Sequence, residues 1–269
     1  QQSNYTVIRA IGHGAFGDVY EGEDLQTHQK VAIKRLNKTK IDSNPYLRSA
    51  LDNELKIMQA CKCNYTVDYI DYIQSQNHYN IVMELCDTDL ETVLTKRSYG
   101  FSAEEVCKML LQLNVVFKKM NAQHIIHRDL KMQNILVKFT NDTFTDFDLK
   151  LSDFGFSKIL LDDSAQTKLG TPLTMAPEVL SGQKYTSKAD LWSLGTIAYR
   201  LHFKEYPFFA MNEKAILQRA RKGMTNEEIA DDLFLSLNTI KSHRMHIFKK
   251  LNVATITEAL LVIGNYHLL

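Results

Sequence analysis

Apolar and polar positions change period several times along the chain, and the changes divide it. From Val7 to Leu36 the run VIRAIGHGAFGDVYEGEDLQTHQKVAIKRL alternates or clusters β-branched residues between glycines and polar turns, which predicts β-strands. At RSALDNELKIMQAC the period becomes helical, with Leu51, Leu55 and Met58 on one face and Glu54 beside it. NIVMELCDTDL reads as a buried strand that runs into polar residues. FSAEEVCKMLLQLNVVFKKM predicts an amphipathic helix opened by a capping box of Ser102 with Glu105, its buried stripe running from Val106 to Met120. Near the end, MTNEEIADDLFLSLNTIKSHRMHIFKKLNV predicts two short helices around the turn FLS. Thr225 and Glu228 form a second capping box there, Ile229, Ala230 and Leu233 face inward, and Ser236 caps the following helix. VATITEALLVIGNYHLL supplies a last helix.

Composition narrows the setting without choosing a function. With 269 residues, 45% hydrophobic and 23% charged, the chain suits one large domain or two moderate ones. A formal charge of +1 gives no global attraction to nucleic acid or anionic lipid, so any electrostatic targeting has to be local. Cys61, Cys63, Cys86 and Cys107 form no CxxC pair, which predicts reduced thiols and a cytoplasmic, intracellular setting. No apolar run reaches membrane-spanning length and QQSNYTV does not read as a signal peptide, so no membrane partner is expected.

The first chemical candidates are Gly12, Gly14 and Gly17, in a G-x-G-x-x-G pattern that lets backbone N–H groups approach phosphate oxygens. A dinucleotide-binding fold uses the same glycines but needs a helix directly after them. Here DVYEG continues as strand and leads to VAIK, placing Lys34 on a strand below the glycines. Glu54 comes 20 residues later and is a carboxylate able to hold that ammonium toward phosphate. Met83 would border a nucleotide base, and the backbone of Glu84 and Cys86 could hydrogen-bond its edge. HRDLKMQN contributes Asp129, Lys131 and Asn134, and SDFGFSK contributes Asp153.

From about Asn4 to residue 222 the chain resembles a eukaryotic-type protein kinase domain. GHGAFGDV, VAIK, HRDLKMQN, DFG and APE stand in that family's order and spacing. The resemblance implies a two-lobed α+β fold, with a β-rich small lobe over 1–86 and a helical large lobe over 87–212. It further implies ATP and Mg²⁺, with Asp129, Lys131, Lys34, Glu54 and Thr171 as catalytic residues and Asn134 and Asp153 as metal ligands. Ile11, Gly12, Gly14, Gly17, Val19, Ala32, Lys34, Met83, Glu84, Cys86 and Leu136 would line the nucleotide. Lys131 and the GTP at Gly170 to Pro172 resemble kinases acting on Ser or Thr, so the implied partner is a protein substrate with such an acceptor. Arg128 resembles a residue that orders a phosphorylated loop, with Thr167 the first candidate acceptor and Ser164 the second. Asp190 would brace the catalytic-loop backbone. Thr174 stands where many relatives carry an aromatic residue.

Two departures follow. The helices expected after Phe209 are hard to find, and the late arginine that pairs with the position of Glu178 has no equivalent. An incomplete large lobe implies weak stability and reduced or conditional activity.

In its place, 213–269 resembles the LuxR/FixJ-type helix-turn-helix, an all-α segment, on T-x-x-E-I-A followed by S-x-x-T-I-K-x-H. That resemblance implies DNA contacts from Thr239, Lys241, His243, Arg244, Lys249 and Lys250. Between Ser236 and Leu251 there are four basic residues and no acidic one, whereas the preceding helix carries Glu227, Glu228, Asp231 and Asp232. Ile256, Leu260 and Ile263 suit either packing on the kinase lobe or a dimer contact through the last helix. The leading expectation is therefore an ATP-dependent protein serine/threonine kinase. The alternatives are a DNA-binding regulator that uses the C-terminal segment and a folded chimera with neither activity.

Overall fold

A computed structural model describes residues 4–13, 17–141, 145–154, 158–159, 174–180, 184–207, 211–233, 237–251 and 253–265. The chain forms two compact units, Gln1–Lys204 and Glu205–Leu269. The division falls upstream of the boundary at 213 expected from sequence.

The first unit opens with β1 (Tyr5–His13), β2 (Gly17–Asp24) and β3 (Lys30–Asn37), followed by α1 (Lys38–Asp42) and α2 (Pro45–Ala60). Then come β4 (Tyr69–Gln74) and β5 (His78–Glu84), which complete an antiparallel sheet in the order β1-β2-β3-β5-β4. Gly17 is fixed by this sheet: a Cβ there would come within 2.0 Å of the Arg35 carbonyl oxygen on β3. The glycine read as a phosphate residue is thus required first by strand pairing. α2 begins three residues before the predicted run. Asn44 caps it, its side chain accepting from the N–H groups of Tyr46 and Leu47, and Pro45 takes the first turn, where no N–H is needed.

The chain continues through β6 (Thr88–Asp89), α3 (Leu90–Lys96), α4 (Ala103–Ala122) and β7 (Ile125–Ile126). A 3-10 turn, Met132–Asn134, precedes β8 (Ile135–Phe139) and β9 (Phe147–Leu151). These are followed by β10 (Lys158–Ile159), α5 (Pro177–Leu180) and α6 (Lys188–Phe203). Short ladders β6-β8-β9 and β7-β10 hold the loops between the helices. The Ser102–Glu105 capping box is formed, and Val106, Met109, Leu113, Val116 and Met120 are the buried stripe of α4. One apolar core joins the sheet's inner face to the helices, with Leu36, Leu51, Met58 and Ile81 continuous with Leu113, Leu151, Phe154 and Ile197. On α6, Leu191 and Phe203 are exposed.

The second unit comprises α7 (Met211–Arg221), α8 (Asn226–Asp232), α9 (Leu237–Leu251) and α10 (Ile256–Asn265). It has its own core of Ile216, Leu217, Ile229, Ala230, Ile240, Ile247 and Ala259. Gly223, at φ +83°, ends α7 in the left-handed region, while the N–H of Met224 returns to the Arg219 carbonyl. The Thr225–Glu228 capping box opens α8. An Arg219–Asp232 ion pair joins α7 to the end of α8. The expected cap Ser236 lies outside the described residues.

Candidate functional site

Lys34 sits mid-strand on β3 and shares the sheet's inner face with Ala32, two residues away. Val19, opposite Lys34, and Met83, opposite Ala32, lie on the same face, so four expected nucleotide-lining residues are gathered by register alone. Lys34 Nζ reaches Glu54 Oε1 of α2 at 2.5 Å and Asp153 Oδ1 at 3.2 Å. Burial opposes the Lys34 charge, but Glu54 and Asp153 outweigh it and hold the ammonium above its ordinary range. The reverse applies to Asp153: burial pushes its carboxyl up, Lys34 pulls it down, and the balance lies below the usual carboxylate value.

α2 is held in place by its own start. Tyr79, buried on β5, donates to Asp42 at 2.7 Å and accepts from Arg48 Nη1 at 2.6 Å, so β5 is fastened to α1 and α2 at one hydroxyl. Glu54, two turns further along α2, is 5% exposed.

The HRDLKMQN segment is pinned from below. Asp190 at the start of α6 is buried, and its two carboxylate oxygens accept from the N–H of His127 at 2.8 Å and of Arg128 at 3.1 Å. Burial raises its carboxyl above the ordinary value, partly offset by the His127 charge and those two bonds. Arg128 is held at φ 69° and Asp153 at φ 59°, left-handed conformations that cost a side-chain-bearing residue about 1–3 kcal/mol each. His127 packs its ring on Phe154 and donates from Nε2 to the Ser152 carbonyl at 3.1 Å. The N–H and hydroxyl of Ser152 both donate to the Asn134 carbonyl at 2.9 Å. Thr174, the departure noted in sequence, has a role here: its hydroxyl donates to the Leu130 carbonyl at 2.8 Å. Its own carbonyl accepts from Ser193.

On this frame Asp129 is 4% exposed, with Lys131 Nζ 2.8 Å from its Oδ2. Asn134 donates from Nδ2 to the Asp129 carbonyl at 2.8 Å and to Oδ2 at 3.2 Å. Its amide oxygen accepts no hydrogen bond among the described residues. An ionised carboxylate at Asp153 and that amide oxygen are hard donors of the kind Mg²⁺ takes, so the residues fit the metal the resemblance implies.

At the far edge, the Glu84 N–H donates to the Asp68 carbonyl at 2.9 Å. The half-buried Cys86 thiol is pushed up to about 12, by burial first and then by the charge of Glu84. Leu136 on β8 is half-buried, and Ile11 on β1 is exposed. Gly12 pairs with Val19, while Gly14 lies outside the described residues, as do Thr171, Thr167 and Ser164. Among the described residues no ion pair reaches Glu178 on α5. Sequence reading missed Lys138 and Lys150, whose ammonium groups meet the 84–87 connection. A lysine on a strand beside DFG carries no signal of that contact.

In the second unit Lys241 is exposed on α9 and His243 is half-buried. Arg244, expected to face DNA, is turned inward instead. It donates to Asn226 Oδ1 and lies 5.7 Å over the Phe248 ring, and burial lowers its pKa. The side chains of Thr239, Lys249 and Lys250 lie outside those described.

The protein kinase domain family matches residues 5–254, running on through α8 and α9. It therefore overlaps the segment for which the sequence suggested a helix-turn-helix, and no comparison supports that second family. Serine/threonine-protein kinase 33 of Bos taurus is 33% identical over 233 residues, covering 82% of this chain and 46% of that protein. Serine/threonine-protein kinase ATG1 of Kluyveromyces marxianus is 31% identical over 266 residues, covering 84% of this chain and 32% of that protein. The chain thus spans less than half the length of these curated relatives. With Lys34 joined to Glu54 and Asp153 and the match extending over most of its length, the chain belongs to the protein kinase family.

Proposed function

We propose that the chain transfers the terminal phosphoryl group of ATP to Ser or Thr hydroxyls of protein substrates, with Mg²⁺. One observation carries the reading: Lys34 bridges Glu54 and Asp153 at 2.5 and 3.2 Å, joining the strand, the helix and the loop that phosphoryl transfer needs together. Mg²⁺, when bound, neutralises charge on the phosphates. Asn134 and Asp153 would hold it. Asp129 orients the acceptor hydroxyl and takes its proton, and Lys131, 2.8 Å from Asp129 Oδ2, neutralises charge on the transferring phosphoryl group. Lys34 holds phosphate oxygens, kept extended by Glu54. Thr171 would shape the acceptor side, and phosphate on Thr167 would find Arg128; both roles rest on the family resemblance.

The test is phosphate incorporation from labelled ATP into a mixed-protein acceptor, comparing the wild type with Asp129→Ala and Lys34→Met. Each variant should lose on the order of 10²-fold or more. Equal incorporation by wild type and variants, or none by the wild type, would overturn the reading.

A second reading concerns the C-terminal unit alone. Its separate core and the exposed Lys241 on α9 favour a helix-turn-helix that meets DNA through that helix. With Arg244 engaged internally, Lys241 carries most of that reading. Ile256 and Leu260, read from sequence as suiting the kinase lobe or a dimer contact, pack against this unit's own core.

A further inference from the structure

Two lysines that the proposed reaction does not use meet the connection between the sheet and the helices. Lys150 Nζ lies 3.0 Å from Glu84 Oε2, and the side chains are only 12% and 21% exposed. Lys138 Nζ donates to the Leu85 carbonyl at 2.8 Å. In the β8–β9 ladder Leu136 stands opposite Lys150, and Lys138 follows two residues later, so both ammonium groups share a strand face with Leu136. The connection is fastened twice more: the Asp87 N–H donates to the Val137 carbonyl at 3.0 Å, and Asp87 Oδ2 accepts from the Phe139 N–H at 2.8 Å.

We propose that Lys150 and Lys138 are positioning residues, which fix the height of 84–86 above Leu136 and tie it to β8 and to β9, the strand that leads to Asp153. The inference rests on the nucleotide-binding reading of the cleft. A backbone edge recognises a flat base only if it cannot slide along the surface beneath that base. Lys150 stands three residues before Asp153, so one strand sets both the base edge and the carboxylate at the phosphate end. A largely buried ion pair has a weak claim on net stability, because desolvation offsets its attraction. What it supplies here is a single register. Loss of either lysine should therefore weaken nucleotide binding and leave the phosphoryl step intact.

The experiment uses the full chain with Lys150→Met, Lys150→Arg and Lys138→Met. Amide hydrogen exchange without nucleotide reads the connection alone, and steady-state kinetics separate KM for ATP from kcat. In Lys150→Met, exchange at 84–87 and KM for ATP should each rise on the order of tenfold, the size expected for a charge-assisted bond, with kcat within about twofold. Lys150→Arg should restore both, and Lys138→Met should shift both in the same direction by less. Exchange that stays slow in both methionine variants overturns the positioning role, whatever the enzyme's activity. So does a fall in kcat at constant KM. A wild-type chain that binds no ADP by calorimetry overturns the nucleotide reading on which the proposal stands, a result that slow exchange alone cannot produce.

Discussion

Asp190→Ala isolates the bracing of the catalytic loop from its chemistry, because Asp190 touches neither nucleotide nor acceptor in the proposed reaction. Its carboxylate accepts two backbone N–H bonds, at 2.8 and 3.1 Å, from His127, which is fully buried, and Arg128. Removing the acceptor leaves those donors without it, at about 1–3 kcal/mol each. Part of that loss is returned, because burying the carboxylate is itself unfavourable and has raised its pKa. A net destabilisation of about 2–4 kcal/mol follows, or a fall of roughly 5–15 °C in Tm for a chain of this size. The same two bonds hold Arg128 at φ 69°, so without them the backbone next to Asp129 relaxes. Displacements near 1 Å at a reacting group can cost on the order of 10²-fold in rate, so kcat should fall by about tenfold or more where the variant is fully folded. Asp190→Asn should lie between the two, since its oxygen still accepts one bond while its NH₂ opposes the other donor. Thermal melts and phosphate incorporation at 20 °C below the variant's Tm, roughly, would measure both effects. An Asp190→Ala chain with Tm within about 2 °C and kcat within about twofold of wild type would refute the bracing argument.

The Lys34–Asp153 pair predicts a pH window. Asp153 titrates below its unfolded value near ~3.9, so its contribution is present above that value and lost as pH falls through the folded one. Lys34 is raised above ~10.4, so its contribution is present below that value and lost as pH rises through its higher folded pKa. The Tm gap between wild type and Lys34→Met should therefore stay flat from about pH 5 to 9 and narrow below about pH 4; a gap that widens in acid would contradict this. For the C-terminal unit, duplex DNA binding by the full chain should weaken with salt, and Lys241→Ala should reduce the log–log slope by about one. Binding absent at low salt, or a slope unchanged in the variant, would remove the DNA reading.

What the amino-acid sequence determined by itself was local. Period changes and capping boxes at Ser102 and Thr225 placed α4 and α8, because those signals are written within a few residues and need no partner elsewhere. Motif order led to the candidate phosphoryl-transfer set, since each motif keeps its residues at fixed short spacing. Asn44 and Pro45, which start α2, were equally local and were passed over. Tertiary structure decided what depends on contacts between distant segments. Only packing reveals that Gly17 yields to the Arg35 carbonyl, that the Thr174 hydroxyl holds the Leu130 carbonyl, and that Lys138 and Lys150 reach the 84–87 connection. The same holds for Arg244, a basic residue on a basic helix that the sequence assigned outward and the fold turned toward Asn226. A residue's type states what it can bond; the fold states which partner comes within reach, and for a long flexible cation that partner lies tens of residues away in the chain.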